Sequence, residues 1–159
     1  MSPEHAAKLR ALVHGRTAAA LGTLHEGAPF VSMAPFALLP DGSAFVVHVS
    51  GLAGHTKDMR ADPRVSLLVM QAEGEGTDTQ ALARVSVQGE ATQCPRGSPE
   101  EARARAAYLA RFPEAGPLTS FGDFAFFAIR PVQARFVAGF AQAMSATGET
   151  FSAVVAAGG

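Results

Sequence analysis

The chain is poor in the residues that mark several function classes. Cys94 is the single cysteine among 159 residues, which excludes an internal disulfide framework and suits a reducing compartment. Lysine is nearly absent: Lys8 and Lys57 are the two present, so arginine carries most of the positive charge. Formal net charge is −1, and no Lys/Arg cluster builds a basic patch. A nucleic-acid partner is therefore not expected. No apolar run reaches the roughly 18 residues of a membrane helix, and the start Met1-Ser2-Pro3-Glu4-His5 lacks the basic and apolar regions of a secretory leader. The expectation is a cytoplasmic protein without a membrane segment.

Familiar catalytic patterns are missing too. His5, His14 and His25 are scattered without ligand spacing, and there is no His-Glu-x-x-His or Cys pair, so no metal site is expected. Cys94 precedes Pro95 with no neighbouring Lys or His to activate its thiol. No Gly-x-Ser-x-Gly elbow occurs. Gly51 to Lys57 has the wrong spacing for a nucleotide-hydrolase loop, and Gly74-Glu75-Gly76 lies in a polar stretch rather than after a strand.

What is present is an apolar share of 48% against 17% charged residues, enough for one well-filled domain. Ser2-Pro3-Glu4 opens a helix over 3–14, with Leu9, Leu12 and Val13 on one face. Three β-rich runs follow, 17–25, 29–39 and 43–50. Glu26-Gly27 and Asp41-Gly42 separate them, which predicts an antiparallel meander. A helix over about 54–62 stops before Pro63, and Val65–Met70 reads as a buried strand. Residues 71–80 form a polar, mobile loop; 83–92 alternates as a strand. Ser98-Pro99-Glu100-Glu101 is a capping box for a helix ending near Arg111. A last strand spans 124–137, in which Phe126 and Phe127 read as core. His48, near the end of an apolar strand, reads as a core or interface histidine. Six strands and three helices joined mainly by tight turns favour a mainly β fold, an antiparallel barrel with peripheral helices. The domain is expected over 1–143. The Ala/Gly/Ser-rich tail, 144–159, is expected to be flexible or docked on a partner chain.

The segment Val46 to Arg60 carries the chemistry. An apolar strand ends in Ser50-Gly51, and a helix opens with His55, Thr56 and Lys57. Free backbone N–H groups and the helix dipole attract an anion such as phosphate, and Lys57 adds a mobile positive charge. Arg84, on the polar side of its strand, is a second candidate or else a surface ion pair.

Four stretches together resemble the flavin-binding split-barrel family related to pyridoxamine 5′-phosphate oxidase, and within it the haem-utilisation branch. They are 17–24 with Pro29-Phe30-Val31-Ser32, then 50–59, then 62–68, and Phe121-Gly122-Asp123-Phe124 leading to Val137-Ala138-Gly139-Phe140. The resemblance implies a six-stranded split barrel and a homodimer with FMN at the subunit interface. By position, Ser50 and Gly51 would meet the flavin or ribityl chain, and His55, Thr56 and Lys57 the phosphate. Arg84 would contact the flavin, and Val31, Ser32 and Met33 would line the isoalloxazine. The resemblance further implies an FMN-dependent oxidoreductase acting on a small molecule, with no compulsory catalytic side chain. The alternative is a non-catalytic flavin- or haem-binding protein, with haem as the weaker cofactor candidate and haem handling or degradation as its role. The family's Arg-x-His substrate motif has no counterpart after Phe124, so pyridoxamine phosphate is not the expected substrate. Asp58 stands where that branch commonly has Asn, placing a negative charge near the proposed phosphate.

Overall fold

The computed structural model describes residues 1–157. Helix α1 (Pro3–Gly15) begins as its cap dictates, with Ser2 accepting a hydrogen bond from the His5 N–H and Leu9, Leu12 and Val13 buried. Strands β1 (Ala18–His25) and β2 (Ala28–Pro35) pair as a hairpin. Glu26 and Gly27 close it, both at positive φ, as a tight two-residue turn requires. The chain then bends at Phe36 into β3 (Ala37–Leu38), which pairs with β4 (Phe45–Ser50). Helix α2 (Gly54–Ala61), β5 (Arg64–Met70), β6 (Arg84–Gln93), α3 (Pro99–Arg111) and β7 (Phe124–Val137) follow. Short 3-10 turns stand at Thr79–Ala81 and Pro113–Ser120.

All pairings are antiparallel, in the order β2-β1-β5-β6-β7-β4-β3. Two strands adjacent in sequence, β2 and β3, therefore occupy opposite ends of this order. The sheet curls until Phe36 alone joins its two edges, which makes a split barrel. The expected meander does not form, because the strand foreseen over 29–39 is broken. Pro35 has no N–H to continue the ladder. Phe36 is buried, its N–H donates to the Thr17 carbonyl at 3.0 Å, and its ring meets Phe45 edge-on at 5.5 Å.

Alternation fills the barrel. Ala19, Leu21 and Thr23 of β1, Val65, Leu67 and Val69 of β5, and Val85 and Val87 of β6 point inward. Phe36, Phe45, Phe127 and Phe136 complete the interior, each burial contributing about 2–3 kcal/mol. A second, smaller core of Ala37, Val46, Cys94, Ala104, Tyr108 and Phe126 lies under α3. Burial raises the Cys94 thiol pKa, consistent with an inert side chain.

The segment after 143 differs from its expectation. Ala143–Thr147 forms β8 beside β7, and Gly148–Val155 forms helix α4, with Phe151 and Val155 fully buried. Thr147 caps α4 by accepting from the Thr150 N–H. Arg10 and His14 of α1 bond the Val154 and Val155 carbonyls, both at 2.7 Å. The sheet thus has eight strands rather than six, β3 and β8 being the additions. Residues 144–157 are tied into this chain's own core; 158 and 159 lie outside the described residues.

Candidate functional site

Helix α2 is the hinge of the site. It leaves β4 through Ser50-Gly51, where Ser50 Oγ accepts from the Leu52 N–H at 3.1 Å and the Gly51 N–H donates to the Asp123 carbonyl. Ala53, at the N-cap position, provides no side-chain hydrogen bond, so the first N–H groups of α2 lack the usual capping oxygen. Lys57 is exposed beside them and forms no ion pair among the described residues. Thr56 is fully buried, and its Oγ1 has no hydrogen-bond partner among the described residues. The hydroxyl expected to meet a phosphate is thus sealed from solvent.

His55 and Asp58, three residues apart, share the face of α2 that packs on the hairpin. His55 Nδ1 lies 3.0 Å from Ser32 Oγ of β2. Burial lowers the His55 pKa, favouring its neutral form. Asp58 is 5% exposed, and both its oxygens are used. Thr23 Oγ1 donates to Oδ2 at 2.9 Å, and His25 Nδ1 stands 2.8 Å from Oδ1. Hydrogen bonding by His25, then by Thr23, holds the Asp58 carboxyl below the usual range. The same bond, with the Asp58 charge, raises His25. Asp58 therefore faces neither the open helix start nor solvent. Its two oxygens are turned to β1, one on Thr23 and one on His25.

Of the other expected contacts, Val31 and Met33 stand out from edge strand β2 at 68% and 62% exposure, and Ser32 between them points to α2. Arg84 is not brought to this end of the barrel. It pairs with Val137 at the far end of β7, whereas Ser50 pairs with Phe124 at the near end. Its guanidinium donates to the Gln80 and Leu82 carbonyls at 3.2 and 2.9 Å. Local carbonyls left open by the 3-10 turn have captured it.

A cleft of about 440 Å³ lies over β2, β1, β5, β6 and β7. Gly22, Leu24, Phe30, Val31 and Val132 give it an apolar lining. Gly89 lines it at a bulge where β6 shifts register against β7. A Cβ there would stand 2.7 Å from the Arg130 carbonyl oxygen, so only glycine fits. The two charges at the rim are satisfied elsewhere, Arg64 by Asp62 and Glu90 by Arg130. Such a surface suits a flat, largely apolar molecule. Sequence reasoning did not find this cleft, because its residues come from five strands. Nor did it single out His25, whose partner lies 33 residues away. Among the described residues, no group of three His, Cys, Asp or Glu side chains is placed to hold a bare metal ion. No helix among them is long and apolar enough to cross a membrane.

Comparison with known proteins gives this geometry a setting. The chain is 37% identical over 145 residues to the chloroplastic haem oxygenase HOZ of Arabidopsis thaliana, covering 89% of this chain and 43% of that protein. It is 31% identical over 125 residues to the haem oxygenase HutZ of Vibrio cholerae, covering 78% of this chain and 70% of that one. A solved haem-binding protein from Mycobacterium smegmatis superposes with a TM-score of 0.84 at 32% identity, over 96% of this chain and 62% of its own. The chain thus spans less than half of HOZ and under two thirds of the mycobacterial chain. The family defined by pyridoxamine 5′-phosphate oxidase matches residues 6–138, nearly the whole barrel, and the chain belongs to that family.

Proposed function

We propose that this protein binds haem in the apolar cleft, as a homodimer with the cofactor at the subunit interface, and serves in haem handling. The observation that carries the reading is the cleft itself: an apolar floor built by glycines and Val132, next to exposed Phe30 and Val31. Removing a porphyrin face from water over such a surface is favourable by about 25 cal/mol per Å² of apolar area. The haem-named relatives, matched over most of this chain, support the same ligand. Bound haem supplies a redox-active iron; the chain supplies burial, orientation and water exclusion.

A flavin reading, the FMN-dependent oxidoreductase that the resemblance implies, rests on a different observation. The start of α2 has no side-chain cap, and Lys57 beside it forms no ion pair among the described residues, an arrangement that fits a phosphate. Titration of the purified protein with haemin and, separately, with FMN tests both. The haem reading expects a saturable Soret band at about one haem per chain; its absence overturns that reading. The flavin reading expects FMN binding that weakens by about 1–3 kcal/mol in Lys57→Ala. FMN affinity unchanged in that variant removes the helix start from the site.

A further inference from the structure

We propose that the cleft binds a planar tetrapyrrole by its face, without a bond to the metal, and that Gly22 is the residue that keeps the floor bare for it. This deepens the haem reading above and rests on it. It also widens the ligand class to porphyrins with or without iron. Among the described residues, those lining the cleft include no His, Cys, Met, Tyr or Lys. The one carboxylate of the lining, Glu90, is paired with Arg130 at 3.2 Å. The polar side chains that remain near the floor are the hydroxyls of Thr23 and Ser66 and the amide of Gln88, and Thr23 already donates to Asp58. None of these is a donor of the imidazole, thiolate, thioether or phenolate kind that holds haem iron. What the cleft offers instead is apolar surface, and the gain from covering it does not depend on the metal.

Gly22 stands in the middle of β1, and the fold does not ask for glycine there. Its φ lies outside the left-handed region. A Cβ built on it would meet the Ser66 carbonyl oxygen at 3.5 Å and the Ser66 Cβ at 3.8 Å, both ordinary contacts. Gly89, the other glycine of the lining, differs, because its own backbone neighbours forbid a Cβ. A glycine inside a strand weakens it relative to alanine, and such a residue marks a place where something approaches the backbone closely. The register shows from which side. Ala19, Leu21 and Thr23 point into the barrel, so Gly22 and Leu24 face out. Gly22 lies opposite Val31 on one flank and Ser66 on the other, with Ser66 opposite Gln88. Residues paired in this way share a face of the sheet. Gly22 is therefore a gap in that row, bare backbone bordered by the apolar side chains of Leu24 and Val31. A flat ring can reach van der Waals contact with bare backbone, and a projecting side chain would hold it off.

The test titrates the full chain with haemin and, separately, with metal-free protoporphyrin IX, followed by absorbance and by porphyrin fluorescence. The two dissociation constants are expected to agree within about threefold. Gly22→Val is expected to weaken both by about tenfold or more, while its unfolding midpoint in urea stays at or above that of the wild type, since valine favours strands. Gly22→Ala, whose methyl the fold accommodates, is expected to show a smaller loss in the same direction and serves should valine disturb β1. Haemin bound about a hundredfold more tightly than the metal-free ring would reveal a bond to iron. That result would overturn the proposal and leave the haem reading standing. Wild-type affinity for both ligands in folded Gly22→Val and Gly22→Ala would do the same. Light scattering of the variants reads the competing occupant. Weakened binding that comes with loss of a dimer would place a second copy of the chain, not the ligand, on Gly22 and would overturn the proposal too. A wild type that binds neither haemin nor protoporphyrin would overturn both readings.

Discussion

At the end of β4, His48 lies 4.4 Å from the Phe126 ring, 5.1 Å from Phe124 and 5.7 Å from Tyr108. Loss of hydration in this cage, with Arg105 and Arg96 nearby, lowers its pKa to about 4. In the unfolded chain it returns to about 6.5. Between those values the unfolded state binds the extra proton, so stability is full above about pH 6.5 and is lost as pH falls toward 4. Allowing for partial exposure, the loss attached to this side chain is on the order of 2 kcal/mol. Replacing it by Phe, which suits its aromatic neighbours, is expected to flatten that part of the pH profile in urea denaturation. A His48→Phe profile as steep as the wild type would show that other groups set it. The sequence made His48 legible as a core or interface histidine, because an apolar strand surrounds it. The His25–Asp58 contact was not legible, since it depends on a hairpin end meeting a helix 33 residues further on. Arg84 shows the same limit: facing the polar side of a strand is visible in sequence, but its bonds to the Gln80 and Leu82 carbonyls are not.

Elements that announce themselves by caps and strong alternation were legible almost to the residue. The capping box of α3 is an example: Ser98 Oγ accepts from the Glu101 N–H at 3.1 Å, and Glu101 accepts from the Gly97 N–H at 3.2 Å. The helix α4 was missed because Ala, Gly and Ser give little hydrophobic contrast. Its signal was there nonetheless: a Thr147 cap, Glu149 in the first turn, and Phe151 and Val155 one turn apart. Close packing fixes its docking, since a Cβ on Gly148 would overlap the Pro131 carbonyl. Phe151 is fully buried and stacks on Phe45 at a centroid distance of 5.7 Å. Phe151→Ala is therefore expected to cost about 3–5 kcal/mol by opening a cavity in the barrel. A loss below about 1 kcal/mol in urea denaturation would mean that α4 is an appendage.

For the whole molecule, the outstanding feature is apolar surface gathered on one side. Phe30, Val31 and Met33 on β2 are 50%, 68% and 62% exposed, and Val132 on β7 is 46% exposed. Strand β2 is also a sheet edge, with one side of its backbone unpaired. An exposed apolar edge strand invites association unless a partner covers it. Pro29 and Pro35 bracket the strand and discourage open-ended pairing by removing donors, which favours a closed pair over a growing stack. A two-fold pair would bury the same patch on both copies and place two clefts at the interface. The expected result is a dimer, twice the 16.4 kDa chain mass, in light scattering at micromolar concentration without added cofactor. Val31→Glu should shift it toward monomer, because each interface would then bury two unpaired carboxylates. A wild type that scatters as a monomer would show that this face is covered by something other than a second copy. The interface location of the cofactor would fall with it, while the cleft within one chain would remain as it is.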